Sequence, residues 1–215
     1  MSIITIERKV LEKNDEIADQ NRKKFKEKKI FTLNFVSSPG SGKTSLIEKT
    51  LEIIKDDIKT SVIEGDVQTD LDAKRVEKYG VPVVQIVTNG ACHLEAALVR
   101  DAFIKIEKLD MQLLFIENVG NLVCPAGYDL GEDMKVVILS VTEGDDKPLK
   151  YPAMFRKAPV LIINKIDLIP YINCSLEALE KNALKINSAL KIFKTSCTSM
   201  EGIQEWSSWI KSKIN

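Results

Sequence analysis

Residues Ser37–Leu46 read SSPGSGKTSL, and their types and spacing are those of a loop that holds phosphate. Such loops follow the pattern Gly, four residues, then Gly-Lys-Ser/Thr. Gly42, Lys43 and Thr44 match it, with Ser37 standing at the first glycine. Along Gly40, Ser41, Gly42 and on to Ser45, backbone N–H groups can turn inward around phosphate oxygens, helped by a helix N-terminus. Lys43 would neutralise the β and γ phosphates, and the Thr44 hydroxyl would ligate Mg²⁺. An apolar strand-like run precedes this stretch and a helical one follows it. A chance glycine turn is therefore the weaker reading, and the chain is expected to bind a nucleoside triphosphate.

The stretch LIINKID places Asn164, Lys165 and Asp167 at the end of a later apolar run. Asp167 can accept from the N1–H and exocyclic amine of guanine, groups that adenine does not present there. A carboxylate left unpaired by the wrong base is costly, so the choice of base can be strict. Lys165 would lie over the base and Asn164 would brace the loop. Further on, TSCTSMEG sets Ser196, Cys197 and Thr198 in the three places of a guanine-contacting loop. Taken in order, each at a strand end, these motifs point to GTP rather than ATP. VIEGD brings Glu64 and Asp66 to the phosphate side, and LLFIENVG brings Glu117 and Gly120. The latter is close to a D-x-x-G switch with glutamate for aspartate. Asp66 and Glu117 would hold the waters of Mg²⁺ or orient a hydrolytic one, with Lys43 the third candidate catalytic group. Glu64 is expected to be structural.

Soft ligands form a second set. Cys92 and the only histidine of the chain, His93, are adjacent after Asn89-Gly90, where a helix is expected to begin. Cys124 lies four residues past Gly120. Strand ends ahead of both loops share one rim of a parallel sheet, so the three side chains could converge. Their S and N donors suit Ni²⁺ or Zn²⁺. Three ligands leave a place for water or a second subunit. A small thiol packed beside a structural histidine is the plainer alternative, and the residues alone leave both open.

Seven apolar runs have the texture of strands: Ile30–Val36, Thr60–Glu64, Val81–Ile86, Met111–Glu117, Lys135–Val141, Ala158–Asn164 and Leu190–Thr195. Helical segments fit between most of them, at Lys43–Lys55, Leu71–Tyr79, Cys92–Lys108, Leu149–Phe155, Leu176–Asn187 and Gly202–Lys213. This alternation implies an α/β fold with a doubly wound, mostly parallel sheet. A P-loop GTPase domain is assigned to residues 30–215. Residues 1–29 form a charged helix or arm with sparse apolar positions at Ile6, Val10, Leu11, Ile17 and Phe25, weakly docked or solvated. With 31 basic and 31 acidic residues the net charge is zero, which argues against a broad nucleic-acid or membrane surface. Four irregularly spaced cysteines are no disulfide framework, and the N-terminus lacks a signal-like apolar run. A cytoplasmic setting is expected.

Together, VSSPGSGKTSLIEKTL, VIEGDVQTDLDAKRV, GACHLEA, FIENVGNLVCPAGYDLGE, TEGDDKPLKYP and NKIDLIPY resemble the HypB family, GTPases that deliver nickel to [NiFe]-hydrogenase. The resemblance spans about Ile30 to Ile210, and the family shares the serine at 37 and the glutamate at 117. It implies that Cys92, His93 and Cys124 form a metal site and that GTP promotes a homodimer across it. It also implies hydrolysis of GTP to GDP, with a hydrogenase large-subunit precursor and other maturation proteins as partners. Hydrolysis is expected to be slow because no residue is an obvious arginine finger or catalytic glutamine. Many members carry a CxxCGC motif or a histidine-rich stretch, but Met1–Lys29 holds neither Cys nor His, so metal storage there is not expected. Lys147 in GDDKP is a candidate phosphate contact across the dimer. The sister GTPase for urease maturation uses Cys-Pro-His where this chain has Cys124-Pro125-Ala126, which disfavours it. A regulatory GTP-binding module with incidental thiols is the rival from another class.

Overall fold

The computed structural model describes the backbone of residues 4–214 and the side chains of residues 11–214. In chain order its elements are α1 (Ile4–Glu27), β1 (Phe31–Ser37), α2 (Lys43–Ile54), β2 (Thr60–Asp66), α3 (Leu71–Glu77), β3 (Val83–Val87), α4 (Ala96–Ile106) and β4 (Leu113–Glu117). There follow β5 (Met134–Ser140), α5 (Lys147–Lys150), α6 (Pro152–Lys157), β6 (Val160–Asn164), α7 (Leu176–Ile186), β7 (Lys191–Thr195) and α8 (Ile203–Ile214). The strands form one parallel sheet in the order β3-β2-β4-β1-β5-β6-β7. This is the doubly wound architecture expected from the sequence.

Because side chains alternate across a strand, each strand feeds both faces of the sheet. Leu33 and Phe35 of β1 join Phe115 and Ile162 beneath α2 and α8. There Trp206 is fully buried, and its indole N–H donates to Thr50 Oγ1 at 3.0 Å. The opposite face divides in two. Val137, Leu139, Leu161 and Ile163 pack against α6 and α7. Ile63, Leu114 and Ile116 pack against α4 and Phe25 of α1. Between these patches run the polar side chains Thr32 and Asn34 of the central strand, both fully buried.

Three expectations shift. The helix placed at Cys92 begins only at Ala96, because Glu95 is extended (φ −106°, ψ 156°) and Leu94 gives its N–H to Asn118 Oδ1 at 3.0 Å. Cys92 and His93 therefore lie in the preceding loop, not on a helix N-terminus. The helix expected over Leu149–Phe155 is two short ones broken at Tyr151, since the residue before a proline avoids helical backbone. The N-terminal segment is a helix held tightly to the domain rather than weakly docked; its positions Ile6 and Val10 fall outside the described side chains. Phe25 meets Phe103 edge-on at 4.9 Å. Asn14 accepts the Ala96 N–H at 2.9 Å and donates to Asp129 O at 2.8 Å. Asn21 Nδ2 donates to both Ala96 O (2.9 Å) and Leu130 O (3.0 Å).

Replacing Asn21 by Ala removes both of these buried hydrogen bonds, so urea unfolding should show a stability loss of about 1–3 kcal/mol.

Candidate nucleotide and metal site

The glycine loop leaves the central strand and enters α2 through Gly42, whose left-handed backbone (φ 96°, ψ 31°) a side chain would strain. A Cβ there would also lie 2.4 Å from Asn164 Nδ2. Lys43 Nζ is buried and donates to Ser37 Oγ at 3.0 Å, so the serine at the first glycine position holds the lysine. Ser41 Oγ donates to Glu143 Oε1 at 2.6 Å, tying the loop to the end of β5. The adjoining cleft of about 470 Å³ is lined by Pro39, Gly40, Gly42–Ser45, Glu64–Val67, Asp72, Arg75, Glu117–Gly120 and Lys165. A glycine loop opening a helix, a lysine and a hydroxyl over such a volume can take up a polyphosphate.

Acids close the far wall. Glu64 and Glu117 are buried register partners on β2 and β4. Burial, and for Glu64 the neighbouring Glu117, raises both above the ordinary carboxyl range. The Thr44 hydroxyl donates to Glu117 Oε1 at 2.9 Å, yet neither Glu64 Oε2 nor Glu117 Oε2 meets a donor. Oxygens of Glu64, Glu117 and Asp72 lie within 4.8 Å of one another. Orphaned buried carboxylate oxygens beside a hydroxyl suit a hard divalent cation such as Mg²⁺.

Glu64 thus belongs to the cluster it was expected to stand outside. Asp72 was missed, because an acid in the first turn of a helix reads equally as a partner of the helix dipole. Asp66 lines the cleft too, but its Oδ1 accepts from Gln68 N (2.8 Å) and Thr69 N (2.7 Å). Burial works against its ionisation, but those N–H groups prevail and lower its pKa. Arg75 also lines the cleft, held by Asp72 at 3.0 Å, by Glu48 and by Ser45 Oγ at 3.0 Å. Lys147 stands 3.7 Å from Glu143 Oε2 and 5.1 Å over the Tyr151 ring.

The loops that follow β6 and β7 meet the glycine loop through Asn164. Its Nδ2 donates to Ser41 O at 2.9 Å, and its Oδ1 accepts from Thr195 Oγ1 at 3.1 Å and from the Cys197 thiol at 3.7 Å. Lys165, in left-handed backbone (φ 62°), donates to Gly40 O at 2.7 Å. Ser196 Oγ accepts from Thr198 N and Ser199 N at 3.2 and 3.1 Å, shaping the loop. Burial pushes the Cys197 thiol up to about 11, so it stays neutral. Asp167 is half-buried in the 3₁₀ turn after β6.

The soft ligands converge. Ligand atoms of Cys92, His93 and Cys124 lie within 4.8 Å of one another. The two sulfurs are 2.9 Å apart, and His93 Nδ1 is 3.7 Å from Cys92 Sγ. Two thiolates on one tetrahedral ion at ~2.3 Å would stand about 3.8 Å apart, so seating a metal requires under an ångström of opening. The His93 ring lies against Tyr128, centroids 3.9 Å apart and planes tilted by 37°, and its Nε2 is buried without a hydrogen bond. Burial lowers its pKa, which favours the neutral, metal-ligating imidazole. The Cys124 thiol is raised by Cys92 and by burial. Asn121 bridges the two loops, donating to Cys92 O at 3.3 Å and accepting from Val123 N at 2.8 Å. Gly120 presses on the glycine loop: a Cβ there would be 2.9 Å from Pro39 Cα and N.

A parallel sheet with its glycine loop between the central strand and α2 defines a P-loop nucleotide-binding domain. Residues 31–194 match the family described as CobW/HypB/UreG, nucleotide-binding domain. The hydrogenase maturation factor HypB of Azotobacter chroococcum mcd 1 is 52% identical over 209 residues, covering 97% of this chain and 68% of that protein. The crystal structure of HypB from Helicobacter pylori in complex with nickel superposes with a TM-score of 0.89 at 40% identity, covering 94% of each chain. That of HypB from Archaeoglobus fulgidus gives 0.89 at 37%, covering 94% of this chain and 99% of its own. The chain belongs to the HypB group of this nucleotide-binding family.

Gly120→Ala should force the Pro39 turn aside and weaken nucleotide binding about tenfold or more, roughly 1.4 kcal/mol, measured by isothermal titration.

Proposed function

We propose that this chain is a GTP-binding, slowly GTP-hydrolysing metallochaperone that delivers nickel to a hydrogenase large-subunit precursor in the cytoplasm. The observation that carries the reading is one juxtaposition. Cys124 shares a ligand cluster with Cys92 and His93, and stands four residues beyond Gly120, which rests on the phosphate loop. A metal ligand mounted on a nucleotide-sensing loop is what a carrier needs if its grip is to change with the nucleotide. That the relatives are named hydrogenase maturation factors, and that one was solved with nickel, supports the choice of cargo over zinc.

In this reading the backbone of Gly40–Ser45 and Lys43 hold the phosphates, while Asp167, Lys165 and Ser196–Thr198 select guanine. Thr44, Glu117 and Asp72 would hold Mg²⁺ directly, with Asp66 and Glu64 behind them. When bound, that ion neutralises charge on the phosphates. Glu117 accepts the Thr44 hydroxyl and so keeps it aimed at the cleft. Hydrolysis is slow because Arg75, the arginine that lines the cleft, is occupied by Glu48, Asp72 and Ser45. Cys92, His93 and Cys124 supply three ligands, and the fourth comes from water or a second copy in a GTP-dependent homodimer. Loss of the γ-phosphate relaxes the Gly120–Cys124 segment and lets the metal go. Delivery to urease is disfavoured because Ala126, at the place of the histidine in that motif, is a buried packing residue.

Cys124→Ala should lower Ni²⁺ affinity by more than the roughly 10–100-fold that outer-shell changes cost. It should also abolish the affinity difference between GDP and a non-hydrolysable GTP analogue. Equilibrium dialysis reads both, and values equal to wild type in both states sink the proposal. Asp167→Asn should weaken GTP on the order of 10²-fold or more. The same variant should gain affinity for xanthosine triphosphate, whose 2-carbonyl accepts from the new amide.

A further inference from the structure

The polar seam on the central strand forms a continuous hydrogen-bonded chain between the two metal loops. It starts at Leu94, the residue after His93, whose N–H donates to Asn118 Oδ1 at 3.0 Å. Asn118 Nδ2 donates to Asn34 Oδ1 at 3.3 Å, and Asn34 Nδ2 to Glu132 Oε1 at 3.0 Å. Lys135 Nζ stands 3.5 Å from the same Oε1 and donates to Pro125 O at 2.8 Å and Tyr128 O at 2.9 Å. Pro125 follows Cys124, and Tyr128 is the ring against His93. The members are all buried, and Asn118 directly follows Glu117.

The chain admits one orientation. A peptide N–H at the Leu94 end can only donate, so Asn118 must turn its oxygen there and its amine toward Asn34. The Glu132 carboxylate at the other end can only accept, which fixes the Asn34 amide the same way. No member can flip alone without leaving a buried group unsatisfied, at about 1–3 kcal/mol each. The Leu94 side chain is clamped as well: a Cβ on Gly65 would fall 2.8 Å from its Cδ1. Residue 94 therefore touches both strand ends that face the phosphates, through Gly65 beside Glu64 and through Asn118 beside Glu117.

We infer that Asn118 and Asn34 are positioning residues that transmit displacement of the Glu117 strand end to the Cys92–His93 loop and the Cys124 loop together. The inference rests on the nucleotide-linked metal site proposed above, and names what links its halves. Shifting Asn118 by a fraction of an ångström draws on Leu94, whose N–H it accepts, and on Glu132 through Asn34. Opening the 2.9 Å gap between the thiols requires relative motion of these two loops.

The test uses the full chain with Ni²⁺ as probe, read by dialysis and by thiolate-to-nickel charge-transfer absorption. Measurements are made with GDP and with a non-hydrolysable GTP analogue. Wild type should show Kd values differing between the nucleotides by about 5–150-fold, the usual size of coupling between two sites. Asn118→Ala and Asn34→Ser should reduce that ratio to about one while the charge-transfer band persists, and Asn34→Ser, which lies outside the cleft lining, should also keep the wild-type GDP affinity. Asn34→Ser leaves the Leu94–Asn118 bond in place and decides the matter if the other variant does not fold. A folded variant with the wild-type ratio overturns the relay and leaves the metallochaperone reading standing. A wild-type ratio of one removes that reading and the relay with it. Hydrogen exchange on wild type gives an independent check. Leu94 N–H protection should differ between the two nucleotide states, and identical protection alongside a changed nickel affinity overturns the inference.

Discussion

Two carboxyl groups placed where both cannot be charged set the terms for the rest of this structure. Glu64 and Glu117 are paired in register across β2 and β4, buried, and within reach of Asp72. Like charges this close in a low-dielectric interior repel strongly, so the pair either shares a proton or takes up a cation. A site of this kind has two low-energy conditions and no comfortable middle. The end of β4 that carries Glu117 also carries the loop leading to Cys124, while the loop leading to Cys92 leaves β3 and meets that strand end through the Leu94 N–H on Asn118. Whatever satisfies the carboxyl pair therefore bears directly on the start of the Cys124 segment.

The rest of the fold supplies rigidity around that point. The sheet is packed on both faces, with Trp206, Phe35 and Phe193 in edge-to-face contact on one side. A close-packed interior responds to a change at a strand end by moving whole segments rather than by absorbing it. The polar seam at Asn34 interrupts the packing on the other face, between two apolar patches that α4 and α7 each cover. An interruption there costs hydrophobic burial on the central strand. Its compensation is directional: hydrogen bonds specify orientation where dispersion contacts do not.

Much of this was legible in the sequence, for a physical reason. Phosphate and base recognition use contiguous residues, so SSPGSGKTSL and NKID each carry their chemistry within one turn of chain. The strands were legible because burial on both faces gives unbroken apolar runs. What was not legible depends on partners far along the chain. Ser41 and Glu143 are 102 residues apart, and Asn34 and Glu132 are 98 apart. Nothing in the run Ile30–Val36 singles out Asn34, and nothing in the helix start at Leu71 singles out Asp72. The helix placed at Cys92 failed for the same reason. Its apolar spacing continues upstream, but Leu94 spends its N–H on Asn118, and Ala96 is capped from outside by Asn14. Tertiary partners, not local propensity, decide where that helix starts.

The stapling of α1 bears on where this chain can be cut. Composition changes at residue 30, and a minimal GTPase fragment would naturally be started there. Yet Asn14 and Asn21 satisfy the first N–H and carbonyl of α4, and Gly131 is so close to α1 that a Cβ on it would lie 2.6 Å from Ala18 O. A fragment beginning at Ile30 would bare Phe103 to water and release both the start of α4 and the turn before Glu132. The charged helix Ile4–Glu27 backs α4 and the turn before Glu132, so the smallest folded unit of this protein includes it.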